Sequence, residues 1–176
     1  MKYKKLISFD FDKTLFFTPE PELSKEIFLK KTGKNWPHKG WWGKSETLNM
    51  DIFDIPLNNW VYEKYLEVIN DPETFTMMAT GRLKKIPGMR ENIDKIFEKY
   101  GIKFDEIHLN CGSDTLKFKI KLFEEKIEEL RVDEFIMFDD RELHLIEFKE
   151  WAKSIDCKIS IVDVINKKKD RFNYDI

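Results

Sequence analysis

The chain has 176 residues, 31 basic and 33 acidic side chains and a net charge of −2. That is enough for one domain with a full hydrophobic core, and it excludes a global field drawing the protein to nucleic acid or anionic membrane, so any basic binding surface is local. Cys111 and Cys157 form neither a disulfide framework nor a metal-ligand spacing and read as ordinary buried thiols; the N-terminal apolar stretch is too short for a signal peptide or a membrane span, so a cytoplasmic setting is expected.

The first element is Leu6-Ile7-Ser8-Phe9-Asp10-Phe11-Asp12-Lys13-Thr14-Leu15, an almost continuous apolar run with two carboxylates toward its C-terminal end. Such a run predicts a strand buried on both faces, and hence a parallel sheet covered by helices. Ligands in open α/β sheets lie beyond the carboxyl ends of the strands, so Asp10 and Asp12 stand where chemistry is expected, both aimed at the crevice. Residues 17–72 then break the β/α rhythm and read as an insertion. It opens on the breaker Thr18-Pro19-Glu20-Pro21-Glu22 and continues as a short helix that buries Leu23, Ile27 and Phe28 and closes near Gly33. An irregular loop over 35–43 follows, then a helix over 58–70 with Val61, Tyr65 and Val68 on one stripe. Trp36 and Trp60 read as the insertion's own core. Trp41 and Trp42 are adjacent and cannot point the same way in an extended chain, so one of them is expected to face a ligand.

The rhythm resumes with a strand over 75–79 ending at Thr80-Gly81-Arg82. A helix follows with Met89, Ile93, Ile96, Phe97 and Tyr100 at helical spacing, closed by Gly101, and then a short strand over 107–111. Asp114 caps a helix over 115–130 whose stripe is Leu116, Ile120, Phe123, Ile127 and Leu130. A strand over 134–138 ends at Asp139-Asp140-Arg141, a helix carries Leu145, Phe148 and Ala152, and a fifth strand covers 158–162. Residues 167–176 read as a solvated tail. The whole is one α/β domain over 1–176 with the insertion at 17–72.

The strand ends bring together Asp10 and Asp12, Thr80, and Asp139 and Asp140. Carboxylates gathered on one sheet edge repel unless a cation or protons offset them, and a hard divalent ion with oxygen ligands is the natural partner. Mg²⁺ shares its shell with phosphate, which points to phosphoryl chemistry, with one carboxylate as nucleophile and a second as acid and base. A cation for the phosphoryl group is expected from helix 115–130. At 100° per residue from Leu116, Lys119 stands about 60° from the centre of the apolar stripe, Lys117 about 100° and Lys121 about 140°, so Lys119 is the one on the margin of the buried face. Two plain structural readings compete: Asp140 as the N-cap of the following helix, and Thr80 as a satisfied loop hydroxyl.

Asp10-Phe11-Asp12-Lys13-Thr14 resembles the first motif, DxDx[TV], of the haloacid dehalogenase-like (HAD) phosphatases; Thr80 is similar to the second motif, Lys119 to the third and Asp139-Asp140 to the fourth. The resemblance implies a three-layer Rossmannoid fold with a parallel five-stranded sheet ordered 5-4-1-2-3 and a small inserted cap. It also implies Asp10 as nucleophile, Asp12 as acid and base, and Mg²⁺ held by Asp10, the Asp12 carbonyl, Asp139 and Asp140. A nearer resemblance is to the HAD domain of Swiss Army Knife RNA repair proteins. It rests on Asp12-Lys13-Thr14-Leu15-Phe16 with Thr18-Pro19, Gly40-Trp41-Trp42, Thr80-Gly81-Arg82, Thr115 with Phe118-Lys119, and Asp139-Asp140-Arg141 with His144. Around the fourth motif the chain is also similar to the phosphatase half of phage polynucleotide kinase/phosphatases. Related domains often carry Glu where this chain has Asp139, a change that keeps the charge.

The expectation is a Mg²⁺-dependent phosphohydrolase acting on terminal phosphates of RNA or DNA, with a soluble nucleotide or metabolite phosphatase and an inactive phosphate-binding module as the competing readings. Substrate contacts are expected from Thr14, Gly81, Arg82, Trp41, Trp42, Arg141 and His144, although an ion pair or a helix-end hydrogen bond competes for Arg82, Arg141 and His144. A local basic patch has to come from residues such as Lys34, Lys39, Lys44, Arg82, Lys84 and Lys85. No protein partner and no membrane are implied.

Overall fold

The computed structural model describes residues 3–174. The first apolar run forms β1 (Lys5–Phe9), and four more runs form β2 (Thr74–Leu83), β3 (Glu106–Asn110), β4 (Glu134–Asp139) and β5 (Lys158–Asp163). These pair in parallel in the order β3-β2-β1-β4-β5. β1 is therefore central, with Phe9 in register with Met78 on one side and Phe138 on the other. Its side chains alternate between two cores. Ile7 and Phe9 join Met78, Phe138 and Val162 on one face, while Leu6 joins Met77, Phe135, Met137 and Ile161 on the other, as a strand covered on both faces requires.

The five-strand order agrees with the expected one, and the architecture is α/β. A sixth strand changes the C-terminal end. β6 (Lys168–Phe172) pairs antiparallel with β5, where a solvated tail was expected. Its composition gives no strand signal, but Asn173 ties it down, its amide donating to the carbonyls of Ala152, Ile155 and Cys157 at 2.9, 2.7 and 3.1 Å.

Helices α3 (Met89–Tyr100), α4 (Thr115–Leu130) and α5 (Glu142–Ala152) cross between the strands. Gly101 closes α3 in the left-handed conformation at φ 66°, and Asp114 caps α4 by accepting from the Lys117 N–H at 3.1 Å. Between β1 and β2 lie α1 (Pro21–Thr32), a 3₁₀ turn (Ser45–Leu48) and α2 (Asn59–Val68). This region shares the core that holds α3: Phe16, Phe28, Trp41, Phe53, Ile55 and Val61 pack with Ile93 and Phe97. Its first helix differs from the expected face. Leu23 and Ile27 are exposed, at 74% and 41%, while Ser24 and Phe28 are buried. The Trp36 ring, 5.1 Å from Phe28 and 4.5 Å from Trp41, fixes which side of α1 turns inward. Cys157 is buried as expected, but Cys111 is exposed.

Candidate active site

At the end of β1 the chain leaves the sheet. Leu15 N–H donates back to the Asp10 carbonyl at 3.3 Å and Phe16 N–H to the Phe11 carbonyl at 3.1 Å, a curl that needs Lys13 in the left-handed region at φ 56°. The curl exposes Asp10 and Asp12 to one cleft of about 520 Å³, whose walls also include Gly81, Arg82, Lys119, Asp140 and Arg141, with Trp42 and Gly43 contributed by the insertion.

Asp10 faces Lys119, whose Nζ is 2.9 Å from Asp10 Oδ1 and donates to Asp139 Oδ2 at 2.6 Å. Lys119 is only 1% exposed. It lies in the middle of the buried face of α4, not at its margin, because Lys119, Leu122 and Phe123 are the helix's buried residues. At 100° per residue that face is centred about 60° from the expected stripe, turned toward the ion pair. The second oxygen of Asp139 accepts from the Arg141 N–H at 3.0 Å; α5 starts at Glu142, which makes Arg141, and not Asp140, its N-cap residue. One carboxylate oxygen each of Asp10, Asp139 and Asp140 lies within 4.8 Å of the others. This oxygen-only set suits a hard divalent cation.

Crowding these acids shifts them. Burial pushes the Asp10 carboxyl up to about 7, opposed by Lys119 and reinforced by Asp139 and Asp140. Burial, with Asp139 second, raises Asp140 to about 6. The Lys119 ammonium moves up despite burial, because Asp10 and Asp139 hold its charge.

Asp12 is directed elsewhere. Arg82, 3% exposed, grips it with a fork: Nε donates to Oδ1 and Oδ2 at 3.1 and 2.9 Å and Nη2 to Oδ1 at 2.7 Å, while the Thr18 hydroxyl adds a third donor to Oδ1 at 2.7 Å. The remaining nitrogen of Arg82, Nη1, donates to the Trp42 carbonyl at 3.1 Å and to Thr47 Oγ1 at 2.9 Å. Arg82 thus orients Asp12 and binds the insertion, making the ion pair that competed with a substrate contact in the sequence, and it also lines the cleft.

Other expected residues fall apart in the same way. Trp41 is 6% exposed, donates from Nε1 to the Pro19 carbonyl at 2.7 Å and packs on Trp36 and Phe53, so it is core and not cleft wall. Trp42 is 40% exposed, lines the cleft and carries the Lys13 ammonium 5.4 Å from its ring centre. Thr80 is buried behind the wall, its hydroxyl accepting from the Arg82 N–H at 3.2 Å. Thr14 is fully buried, with no partner for its hydroxyl among the described residues. His144 stands outside the cleft with Nε2 3.3 Å from Arg141 Nη1; burial favours its neutral form. Gly81 is in the wall because nothing larger fits: a Cβ there would lie 2.7 Å from both Cγ2 and Oγ1 of Thr115.

The cleft also takes Asn110 and Ser113, which the sequence reading passed over. Asn110 is 1% exposed; its Oδ1 accepts from the Gly112 and Ser113 N–H groups at 2.9 and 3.0 Å and so shapes the loop into α4. Its signal was present, a polar residue at a strand's carboxyl end, the feature that singled out Thr80.

The sequence matches the model of HAD domain family 1 in Swiss Army Knife RNA repair proteins over residues 18–175. The chain belongs to that family. The matched span takes in Thr80, Lys119, Asp139 and Asp140 and begins just past the motif at 10–14. Two solved chains share this HAD fold. One, from the Pnkp1/Rnl/Hen1 complex, has a TM-score of 0.59 and 18% identity over 92% of this chain and 46% of its own. The other, from the Pnkp1/Rnl/Hen1 RNA repair complex, has a TM-score of 0.58 and 17% identity over 92% of this chain and 43% of its own. This HAD domain therefore spans less than half the length of either. No curated protein matches it, and no helix among the described residues is long and apolar enough to cross a membrane.

Proposed function

We propose that this HAD domain is a Mg²⁺-dependent phosphohydrolase that works through an aspartyl phosphate on Asp10 and removes terminal phosphates from RNA or DNA. The observation that carries the reading is the meeting of Asp10, Asp139 and Asp140 oxygens within 4.8 Å, with Lys119 in contact with Asp10 and Asp12 in the same cleft. Asp10, Asp139 and Asp140 would hold Mg²⁺, with the Asp12 main-chain carbonyl as the further ligand that the family resemblance implies, while the Asp12 carboxylate pairs with Arg82. The ion supplies charge neutralisation between the carboxylates and the phosphoryl oxygens.

In the forward step Asp10 attacks phosphorus and the ester oxygen leaves with a proton from Asp12; in the second, Asp12 takes a proton from the water that attacks the acyl phosphate, releasing phosphate and free Asp10. Asp12 Oδ2 receives a single donor, Arg82 Nε, whereas Oδ1 receives several. Oδ2 is thus the oxygen open to proton exchange. Lys119 fixes the nucleophile and offsets the charge that it shares with the phosphoryl group.

The family to which the domain belongs and the half-exposed Trp42 at the cleft support a nucleic-acid end as substrate, since an indole stacks on bases without sequence preference. The Pnkp1/Rnl/Hen1 assembly in which the fold recurs supports adding protein partners to this reading, and a cytoplasmic setting suits it. Phosphate release, with Mg²⁺ and with EDTA, from 3′- and 5′-phosphorylated RNA and DNA, mononucleotides and sugar phosphates tests it. The expected result is Mg²⁺-dependent release that is fastest from oligonucleotide ends. A sugar phosphate turned over as well as any oligonucleotide assigns the domain to small metabolites, and no release from any ester leaves a phosphate-binding module.

A further inference from the structure

The cleft that holds the carboxylates has a larger neighbour. A groove of about 860 Å³ runs beside it, between the segment after β2 and the outer face of α4. The two spaces adjoin. Ser113 lines both, Leu83 lines the cleft while Lys84 lines the groove, and on α4 Lys119 faces the cleft while Lys117 faces the groove.

We propose that this groove is the track of a single-stranded polynucleotide whose terminal phosphate enters the cleft at Asp10. The inference rests on the proposed function and extends it to the part of the substrate beyond the reacting phosphate.

Charge gives the track its direction. Lys84, Lys85 and Lys117 are exposed and make no ion pair among the described residues. The groove's other lysines and its arginine are already neutralised: Lys126 lies 2.8 Å from both Glu106 and Glu129, Arg90 lies 2.8 Å from Asp94, and Lys121 is 3.7 Å from Glu125. The available positive charge is therefore concentrated at the mouth of the cleft, where the phosphodiesters next to a bound end would lie. Beyond about 12 Å along α4, the rise from Lys117 to Glu125, the lining charges are already paired and offer no free cation to a longer strand. Next to Lys117 in the chain, Phe118 is half-buried and lines the groove together with Ile107 and Leu109. This apolar strip suits the faces of bases, while the lysines hold their phosphates.

The test compares wild type, Lys84→Ala/Lys85→Ala/Lys117→Ala, and a control, Lys34→Ala/Lys39→Ala/Lys44→Ala, on the insertion. Each is titrated by fluorescence anisotropy with labelled RNA and DNA strands of increasing length that end in phosphate, and assayed for phosphate release from the same strands and from a mononucleotide. Each unpaired lysine on a phosphate of a single strand contributes about −0.7 to the slope of log K against log salt, so removing three flattens it by about 2, erasing roughly an 18-fold loss of affinity between 50 and 200 mM salt. The groove variant is expected to lose that slope and the oligonucleotide's kcat/KM advantage, to keep mononucleotide turnover and Tm, and to show wild-type affinity gains only for the shortest strands. The insertion variant is expected to behave as wild type. Parallel losses for RNA and DNA report the shared phosphodiester chemistry; a loss for RNA alone adds 2′-hydroxyl recognition in the same groove. A groove variant that keeps the slope and the advantage, or an insertion variant that loses them, overturns the track and leaves the proposed function standing. A wild type without any oligonucleotide advantage overturns the proposed substrate, and the track with it.

Discussion

Asp10→Asn is expected to lose phosphate release down to background while the protein stays folded, because the amide is nearly isosteric but a poor nucleophile. Asp12→Asn is expected to fall by about 10²–10⁴-fold, the scale of a positioned acid and base, and to accumulate phosphoenzyme. A rapid acid quench with labelled substrate checks both; turnover in Asp10→Asn at the wild-type rate contradicts the assignment. Lys119 adds a sharper contrast. Its ammonium holds the buried Asp10 and Asp139 together, so Lys119→Ala leaves two buried carboxylates uncompensated and costs about 3–5 kcal/mol of stability. It also costs about 10²–10³-fold in kcat, as loss of a charge-stabilising donor does. Lys117→Ala is expected to leave mononucleotide turnover and Tm unchanged, and equal losses in the two variants would show that the buried ion pair is not what matters.

At the scale of the elements, the close approach of β2 and α4 makes a separate claim. A Cβ on Gly81 would press on the Thr115 side chain at 2.7 Å, so Gly81→Ala pushes the first turn of α4 outward at a cost of about 1–3 kcal/mol, typical of overpacking, and carries Lys119 with it. Thr115→Ala removes the two atoms in the way, so the double variant is expected to recover most of the Tm and part of the turnover; a cycle with no coupling refutes the contact. Elements of this kind were legible because their buried faces follow the period. Met89, Ile93, Ile96 and Phe97 are each at most 4% exposed in α3, as their spacing implied. What escaped the sequence was decided by contacts distant along the chain. Arg82 meets Asp12, Trp42 and Thr47; Lys119 turns α4 toward acids from other strands; and β6, rich in charge, is a strand only because β5 offers a free edge and Asn173 anchors the turn beyond it.

For the molecule as a whole, the crowded carboxylates set how stability responds to pH and metal. Asp10 and Asp140 titrate higher folded, near 7 and 6, than in the unfolded chain, near 4, so between those limits the folded state binds more protons. Their contribution to stability is full below about pH 4 and is lost as pH rises toward 7. The half-buried acids held below their usual range by hydrogen bonds, such as Asp71 and Asp170, act in the opposite sense and below that window. In EDTA the metal-free protein is therefore expected to show a Tm several degrees lower at pH 8 than at pH 5. Mg²⁺ is expected to raise Tm more at pH 8, where protons no longer compete for the same oxygens. Scanning calorimetry at the two pH values checks this, and an equal Mg²⁺ increment at both would remove these acids as the metal's ligands.

The fork of Arg82 ends on the insertion at one side and on Asp12 at the other. Local opening of the segment around Trp42 and Thr47 would free the guanidinium and release Asp12 while the sheet and Asp10 stay in place. Turnover would thereby report on the folding of a region that contains no motif carboxylate. On heating, activity is expected to disappear with the first cooperative unit to open and not with the last.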